Sequence, residues 1–294
     1  MIFATIDVGS NAIRLLLTDV RAVEDEVIFE RMTMLRVPVR LGEDAFSRGK
    51  ISDDKAKMLI KTMCGFREII DGFQVADTMA CATSALREAK NGDAIVQKIK
   101  NKAGVDLKII DGKKEAKLIY ANHIEQNFDP RYSYLYIDVG GGSTEVTFVG
   151  GGKKKSKSFN VGCIRLKEGF VLKETWNEMD KWLKKTVRGK SVVGIGSGGN
   201  IRSLYLLAGK VNNEPLRVSD LSGVSKMLQN YSLEERVTEL GLKPDRADVI
   251  VPACYIYRHI LKVCGIKKIY APVIGLSDGM VHELYSKHKK KFME

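Results

Sequence analysis

The sequence predicts an α/β protein made of two related domains facing one cleft. Two observations carry that reading. The chain opens with Ile6-Asp7-Val8-Gly9-Ser10-Asn11, and a near copy returns as Ile137-Asp138-Val139-Gly140-Gly141-Gly142-Ser143-Thr144-Glu145. In each, an apolar strand runs into a glycine turn. The stretch after each turn then has the same rhythm: two more strands, then helices alternating with strands. With 294 residues there is chain enough for two domains of roughly 100–200 residues. The expected division is 1–128 and 129–294.

In the first half, alternation and short turns predict an antiparallel meander of strands at 2–8, 12–20 and 26–33. One more strand is expected at 37–41, then a polar loop at 42–49. Ser52 followed by Asp53 and Asp54 marks a helix start. Ala56, Leu59, Ile60, Met63, Phe66 and Ile70 recur at helical spacing, so 53–71 is a helix with one buried face. Strands at 75–82 and 105–110 bracket a helix at 92–103. A helix over 113–127 closes the half at Pro130.

The second half repeats the pattern. Strands are expected at 134–139, 144–149 and 156–161, with Lys153 to Lys157 on a hairpin after Gly150-Gly151-Gly152. Helices follow at 162–170 and 173–187. A strand at 192–195 leads into a third glycine loop, Gly196-Ser197-Gly198-Gly199-Asn200, read as a ligand loop. Helices at 219–229, 232–240 and 245–263, the last holding Pro252 as a kink or in its first turn, precede a strand at 269–271 and a helix at 276–285.

Composition narrows the function. A net charge of +12 favours a polyanionic partner: nucleic acid, an anionic membrane or a phosphate-rich small molecule. Lysines concentrate at 153–157 and at 287–291, the latter expected as a frayed tail. No stretch approaches the ~20 apolar residues of a membrane span, and no secretory signal is expected. Five scattered cysteines without a Cys-x-x-Cys pair suit a reduced, cytoplasmic setting without structural zinc. The histidines form no zinc pair, and neither a P-loop nor a nucleophile elbow is present.

The glycine turns carry the chemistry. Without Cβ atoms, backbone N–H groups can close on phosphate oxygens. The candidate phosphate-binding residues are Gly9, Ser10 and Asn11 in one turn and Gly140, Gly141, Gly142, Ser143 and Thr144 in the other. Asp138 and Glu145 flank the second turn and can share a divalent cation. Arg14 sits on an apolar strand, where a charge needs an anion. Arg87 follows Thr83 and Ser84 at a strand end. Trp176 and Trp182 read as packing residues. Glu115 sits in a first helical turn, where it alone signals no more than a helix-dipole residue.

These segments, with Ala82 to Ala89, Glu115 to Tyr120, Val161 to Leu166, Gly196 to Ile201, Arg246 to Ile250 and Gly275 to Gly279, resemble the exopolyphosphatase and guanosine pentaphosphate phosphohydrolase family. That family lies within the actin/Hsp70/sugar-kinase superfamily. The resemblance implies two ribonuclease-H-like domains with mixed sheets and an active site in the interdomain cleft. It makes Glu115 the catalytic glutamate acting on water, and Asp138 and Glu145 the magnesium (or manganese) carboxylates with Asp7 contributing. Glycine-turn amides and Arg87 would hold phosphates. The substrate implied is inorganic polyphosphate or pppGpp, with no DNA or RNA target and no membrane; a homodimer is compatible. The chain resembles the short, two-domain members. It has Ser277 in Gly-Leu-Ser-Asp-Gly where the family has arginine, and Asp111-Gly112 where Ser-Gly is usual.

The expected reaction is hydrolysis of a terminal phosphoanhydride, carried by positioning and charge neutralisation. The competing readings are pppGpp 5′-phosphohydrolysis, a kinase for which no acceptor pocket is visible, and a non-catalytic polyphosphate- or nucleotide-binding regulator.

Overall fold

The computed structural model describes residues 1–24, 26–211 and 213–289. The chain divides into two compact units: Met1–Asn122 together with the chain from Leu276, and His123–Gly275.

The first unit holds strands β1 (Ile2–Val8), β2 (Ile13–Val23), β3 (Glu26–Val37), β4 (Asp77–Ala82) and β5 (Leu107–Ile109). Their order is β3-β2-β1-β4-β5, antiparallel over β3-β2-β1 and parallel over β1-β4-β5. Its helices are α1 (Leu41–Arg48), α2 (Asp53–Gly72), α3 (Ser84–Glu88), α4 (Gly92–Ala103) and α5 (Gly112–Tyr120).

The second unit has strands β6 (Ser133–Val139), β7 (Thr144–Gly150), β8 (Lys153–Phe159), β9 (Val192–Ser197), β10 (Leu216–Arg217) and β11 (Lys268–Tyr270). Its helices are α6 (Cys163–Lys167), α7 (Lys173–Val187), α8 (Gly198–Leu207), α9 (Val218–Gln229), α10 (Leu233–Thr238), α11 (Pro244–Ala247) and α12 (Ile250–Cys264). The run β8-β7-β6-β9-β11 repeats the first unit's order and its antiparallel-then-parallel sense, with β10 added at the edge. The ribonuclease-H-like arrangement expected from sequence is therefore present twice.

Helix α13 (Leu276–His288) belongs to the first unit. The sequence assigns it to 129–294. It packs instead on β1, β2, β4 and α5. The cause is visible in the strands. Successive side chains alternate faces, and β1 and β2 between them carry buried apolar residues on both. Ala4, Ile6 and Val8 join the larger core with Ile13, Leu15 and Leu17 of β2. Phe3 faces the other way with Leu16 and Val20, and that smaller cluster is closed by Val281 and Leu284 of α13. The second face of β1 sets Phe3 beside the buried polar Thr5 and Asp7; its apolar end needs cover, and the C-terminal segment supplies it. Gly279 makes the fit close: a Cβ there would lie 1.8 Å from Leu118 O of α5.

Other differences from the sequence reading have local causes. Val37 extends β3, opposite Ile13, and the polar segment 42–49 is helix α1, entered through a left-handed Arg40. Leu41 and Ala45, one turn apart, are its buried apolar side chains, too few to stand out in sequence. The helix expected over 113–127 ends at Tyr120; left-handed His123 separates it from a 3-10 turn at Ile124–Asn127. The lysines from Lys153 lie on β8 itself, because Gly151 and Gly152, both at positive φ, complete the turn alone. The helix expected over 245–263 is two helices, with Pro252 in the first turn of α12. The expected strand at 156–161 starts earlier, and that at 192–195 runs on through Ser197. Lys287 lies on α13; Lys290 and Lys291 of the expected tail are outside the described residues.

Candidate active site

Both glycine turns are built alike. Gly9 N donates to Ala12 O at 3.1 Å, and Gly140 N to Ser143 O at 2.9 Å, so each closes a two-residue tip. A Cβ on either glycine would stand 3.2 Å from that carbonyl, tighter than an alanine sits comfortably. Behind each tip is the start of the following helix. Arg40 N donates to Asn11 O and Gly42 N to Ser10 O. In the second unit Cys163 N donates to Gly140 O, Ile164 N to Gly141 O and Arg165 Nε to Gly142 O, all at 2.9 Å.

This backing fixes which way the amides point. In a trans peptide the C=O and the following N–H are opposed. Carbonyls drawn toward the helix therefore turn the amides of Asn11 and Ala12, and of Gly141, Gly142 and Ser143, to the other side. Each turn becomes a row of donors, the arrangement that binds phosphate oxygens. Gly162 permits it: a Cβ there would lie 2.3 Å from Gly141 O.

The polar side chains fall on one register line across each sheet. In the second unit that line is Ser197–Asp138–Glu145–Ser158 over β9, β6, β7 and β8. Ser197 Oγ donates to Asp138 Oδ2 at 2.9 Å, and Ser158 Oγ to Glu145 Oε1 at 2.7 Å. Two carboxylates directly opposite on a ladder repel, and Glu145 is 3% exposed. A hard cation with oxygen ligands relieves that repulsion, and magnesium is commonly held by one or two carboxylates plus waters and phosphate. This donor set fits it. Among the described residues no group of three or more His, Cys, Asp and Glu gathers for a metal.

In the first unit the line is Arg36–Arg14–Asp7–Cys81–Lys108. Arg14 Nη1 donates to Asp7 Oδ2 at 2.6 Å. The anion that Arg14 meets is thus the neighbouring strand's aspartate. Glu115 is buried at the start of α5, whose N-cap Asp111 accepts from Lys114 N at 2.7 Å. Arg87 Nη1 donates to Ile110 O at 2.8 Å and stands 3.6 Å from Glu115 Oε2. Cys81 ties the group together. Burial pushes its thiol up to about 11, Asp7, Glu283 and Glu115 add to the rise, and Lys114 opposes it. Asp7 shares its strand face with Thr5, whose hydroxyl donates to Ser277 O of α13, and α13 meets α5, the helix of Glu115, through Gly279 and the Lys114–Glu283 pair.

Other expected residues take structural places. Ser10 Oγ is buried against Ser84 Oγ at 2.8 Å, and its carbonyl accepts from Gly42 N. Thr144 is fully buried and donates its hydroxyl to Val161 O. The third glycine loop is not a loop. Gly196 and Ser197 finish β9, Gly198 at φ +80° starts α8, and Gly198 N donates to Ile274 O at 3.0 Å. Asn200 is locked inside, donating to Val139 O and accepting from Arg246. Ser277 is buried, its carbonyl accepting from Thr5 Oγ1.

Sequence reasoning missed Gly162, Ser158 and Ser197 as supports. Only pairing register, which a sequence does not print, sets the serines beside the carboxylates. Gly162 had a signal: it follows the third strand of the meander, β8, directly before a short helix.

Comparison with known proteins agrees with this fold. A solved exopolyphosphatase from Cytophaga hutchinsonii superposes with a TM-score of 0.82 at 24% identity, covering 98% of both chains. An Aquifex aeolicus Ppx/GppA family member gives 0.76 at 23%, again covering 98% of both. Among curated relatives, a bifunctional 3-dehydroquinate synthase/phosphatase of Fusobacterium nucleatum is 27% identical over 89% of this chain and 43% of its own length. A guanosine-5′-triphosphate,3′-diphosphate pyrophosphatase of Photobacterium profundum is 25% identical over 97% of this chain and 60% of its own. Exopolyphosphatase 1 of Mycobacterium bovis is 24% identical over 96% and 87%. The chain thus spans about half the length of the first two. The sequence profile of the Ppx/GppA phosphatase family matches residues 20–288, and the chain belongs to that family.

Proposed function

We propose that this protein is an exopolyphosphatase, hydrolysing the terminal phosphoanhydride of inorganic polyphosphate and releasing orthophosphate. The observation that carries the reading is the duplicated turn, with its carbonyls tied back to a helix start and its amides turned outward. The relative named exopolyphosphatase, matched over 87% of its length, supports the substrate class.

The residues divide the work. Amides of Asn11 and Ala12 and of Gly141 to Ser143 hold phosphate oxygens, and they are already oriented when charge develops on them. Glu115 takes the proton from the attacking water at its carboxylate. Arg87, 3.6 Å from Glu115, orients that carboxylate and offers its remaining N–H groups to the departing phosphate. Asp138 and Glu145 would hold magnesium, which when bound neutralises phosphate charge. Arg14 holds Asp7 in place. Free cysteines throughout support a reducing, cytoplasmic setting, and among the described residues no helix is long and apolar enough to cross a membrane.

A second reading, 5′-phosphohydrolysis of pppGpp, is supported by the Photobacterium profundum relative, which matches 97% of this chain. Parallel phosphate-release assays with polyphosphate and pppGpp, each with magnesium and with EDTA, decide between them. Faster release from pppGpp would reverse the preference, and no release from either would overturn the hydrolase.

A further inference from the structure

The second unit carries a cavity of about 740 Å³ between the start of α9 and one face of α12. It shares no residue with either glycine turn. Four cations line it: Arg217, Arg258, Lys262 and Lys267. Arg258 donates to Ser225 Oγ at 2.8 Å; among the described residues none of the four pairs with a carboxylate. The nearby acids are already engaged. Asp220 is held by Lys210 at 3.1 Å and accepts from the backbone N of Arg217 at 2.8 Å, and Asp180 is held by His259 at 2.7 Å.

Arg217, Lys262 and Lys267 are exposed and Arg258 is half-buried, so all four can reach an anion in the cavity. Tyr255, Arg258, His259 and Lys262 follow i, i+3, i+4, i+7 spacing and form one stripe of α12. Arg258 and Lys262 are like charges one turn apart, which costs helix stability. Lys262 in the last turn is compensated by the helix dipole; Arg258, a turn earlier, is less so. The first residues of α9 also line the cavity, with Asp220 capping that helix end through Arg217 N.

Beside the cations stands an aromatic shelf. Tyr255 is 53% exposed, yet its ring is fixed on two sides. Trp176 meets it edge-on at 5.8 Å, and His259 lies near-parallel at 6.3 Å. Trp176 also abuts His259 at 4.6 Å. A rigid, half-open ring beside unpaired cations, over an apolar floor from Leu261 and Ile266, suits a planar base bearing phosphates. The volume is within the range of small-molecule sites, about 300–1,000 Å³.

We infer that this cavity is a nucleotide site: it binds a nucleoside polyphosphate, with phosphates on Arg217, Arg258, Lys262 and Lys267 and the base on Tyr255. The inference does not rest on the hydrolase reading.

The test is a binding titration of the full chain with the β,γ-imido analogues of ATP and GTP, and with tripolyphosphate. Trp176, in contact with Tyr255, supplies a fluorescence readout. Lys262→Glu and Lys267→Glu change exposed residues, and a thermal melt beside the titration confirms that each variant is folded. Each is expected to weaken analogue binding by at least about tenfold. Tyr255→Ala is expected to erase the preference for the analogues over tripolyphosphate. Absence of analogue binding, binding indifferent to both charge reversals, or tripolyphosphate binding as tightly as the analogues in the unmutated protein would each overturn the proposal.

Discussion

Alanine at Gly162 would put a methyl carbon 2.3 Å from Gly141 O and 2.4 Å from Gly142 C. Both atoms are backbone of the second cradle, so no side chain can swing away. Restoring ordinary contact needs the turn and α6 to part by about 0.7–1 Å. Such overpacking costs roughly 1–3 kcal/mol of stability. The catalytic cost is larger, because a misplacement of about 1 Å at a reacting group can lower the rate about 100-fold. Parting the two also weakens the bonds from Cys163 N and Ile164 N that turn the amides outward. The assay is steady-state phosphate release from polyphosphate with magnesium, beside a thermal melt. Gly223→Ala is the control, since a Cβ there meets nothing within 4 Å. A folded Gly162→Ala protein with unmutated kcat/KM would refute the view that α6 orients the cradle.

Three further outcomes are expected. Gly279→Ala, whose Cβ would meet Leu118 O at 1.8 Å, forces α13 off α5; a melt should show a loss of roughly 1–3 kcal/mol or more, and hydrogen exchange should rise first in α5. Burial alone would raise the Asp44 carboxyl, but hydrogen bonds from Ser52 and Lys55 outweigh it and hold the carboxyl below its ordinary value. That stability is present above the unfolded pKa and is lost as pH falls through the lower folded one. Asp44→Asn should therefore cost about 1–2 kcal/mol at neutral pH, with the difference closing below about pH 4, as followed by melts across pH. Burial pushes the Cys163 thiol up to about 11, so iodoacetamide at pH 8 should leave it unlabelled in the folded protein, as read by mass spectrometry.

The legible parts of the sequence were those with strong local periodicity. The strand before each turn, the face of α2 and the glycines were readable because each depends on residues close in sequence. Helix α1 was not, since its buried residues are Leu41, Gly42, Asp44 and Ala45, of which only Leu41 and Ala45 are apolar side chains and give no periodic signal. The pairing of Ser158 with Glu145 and of Ser197 with Asp138 depends on strand register, 13 and 59 residues apart in the chain. The placement of α13 depends on the second face of β1, where the strand displays Phe3 beside the polar Thr5 and Asp7. What it did not display is which helix covers the second face. Glu115 needed the family resemblance: a glutamate in a first helical turn is ordinary, and its neighbours Arg87 and Cys81 come from other elements.

The central claim is that Glu115 works on water at a phosphate held by the glycine turns. Phosphate release from inorganic polyphosphate by Glu115→Gln tests it most directly, with polyphosphate binding measured on the same protein. The account predicts that release is lost while binding stays near that of the unmutated chain. Undiminished release by the variant would contradict it.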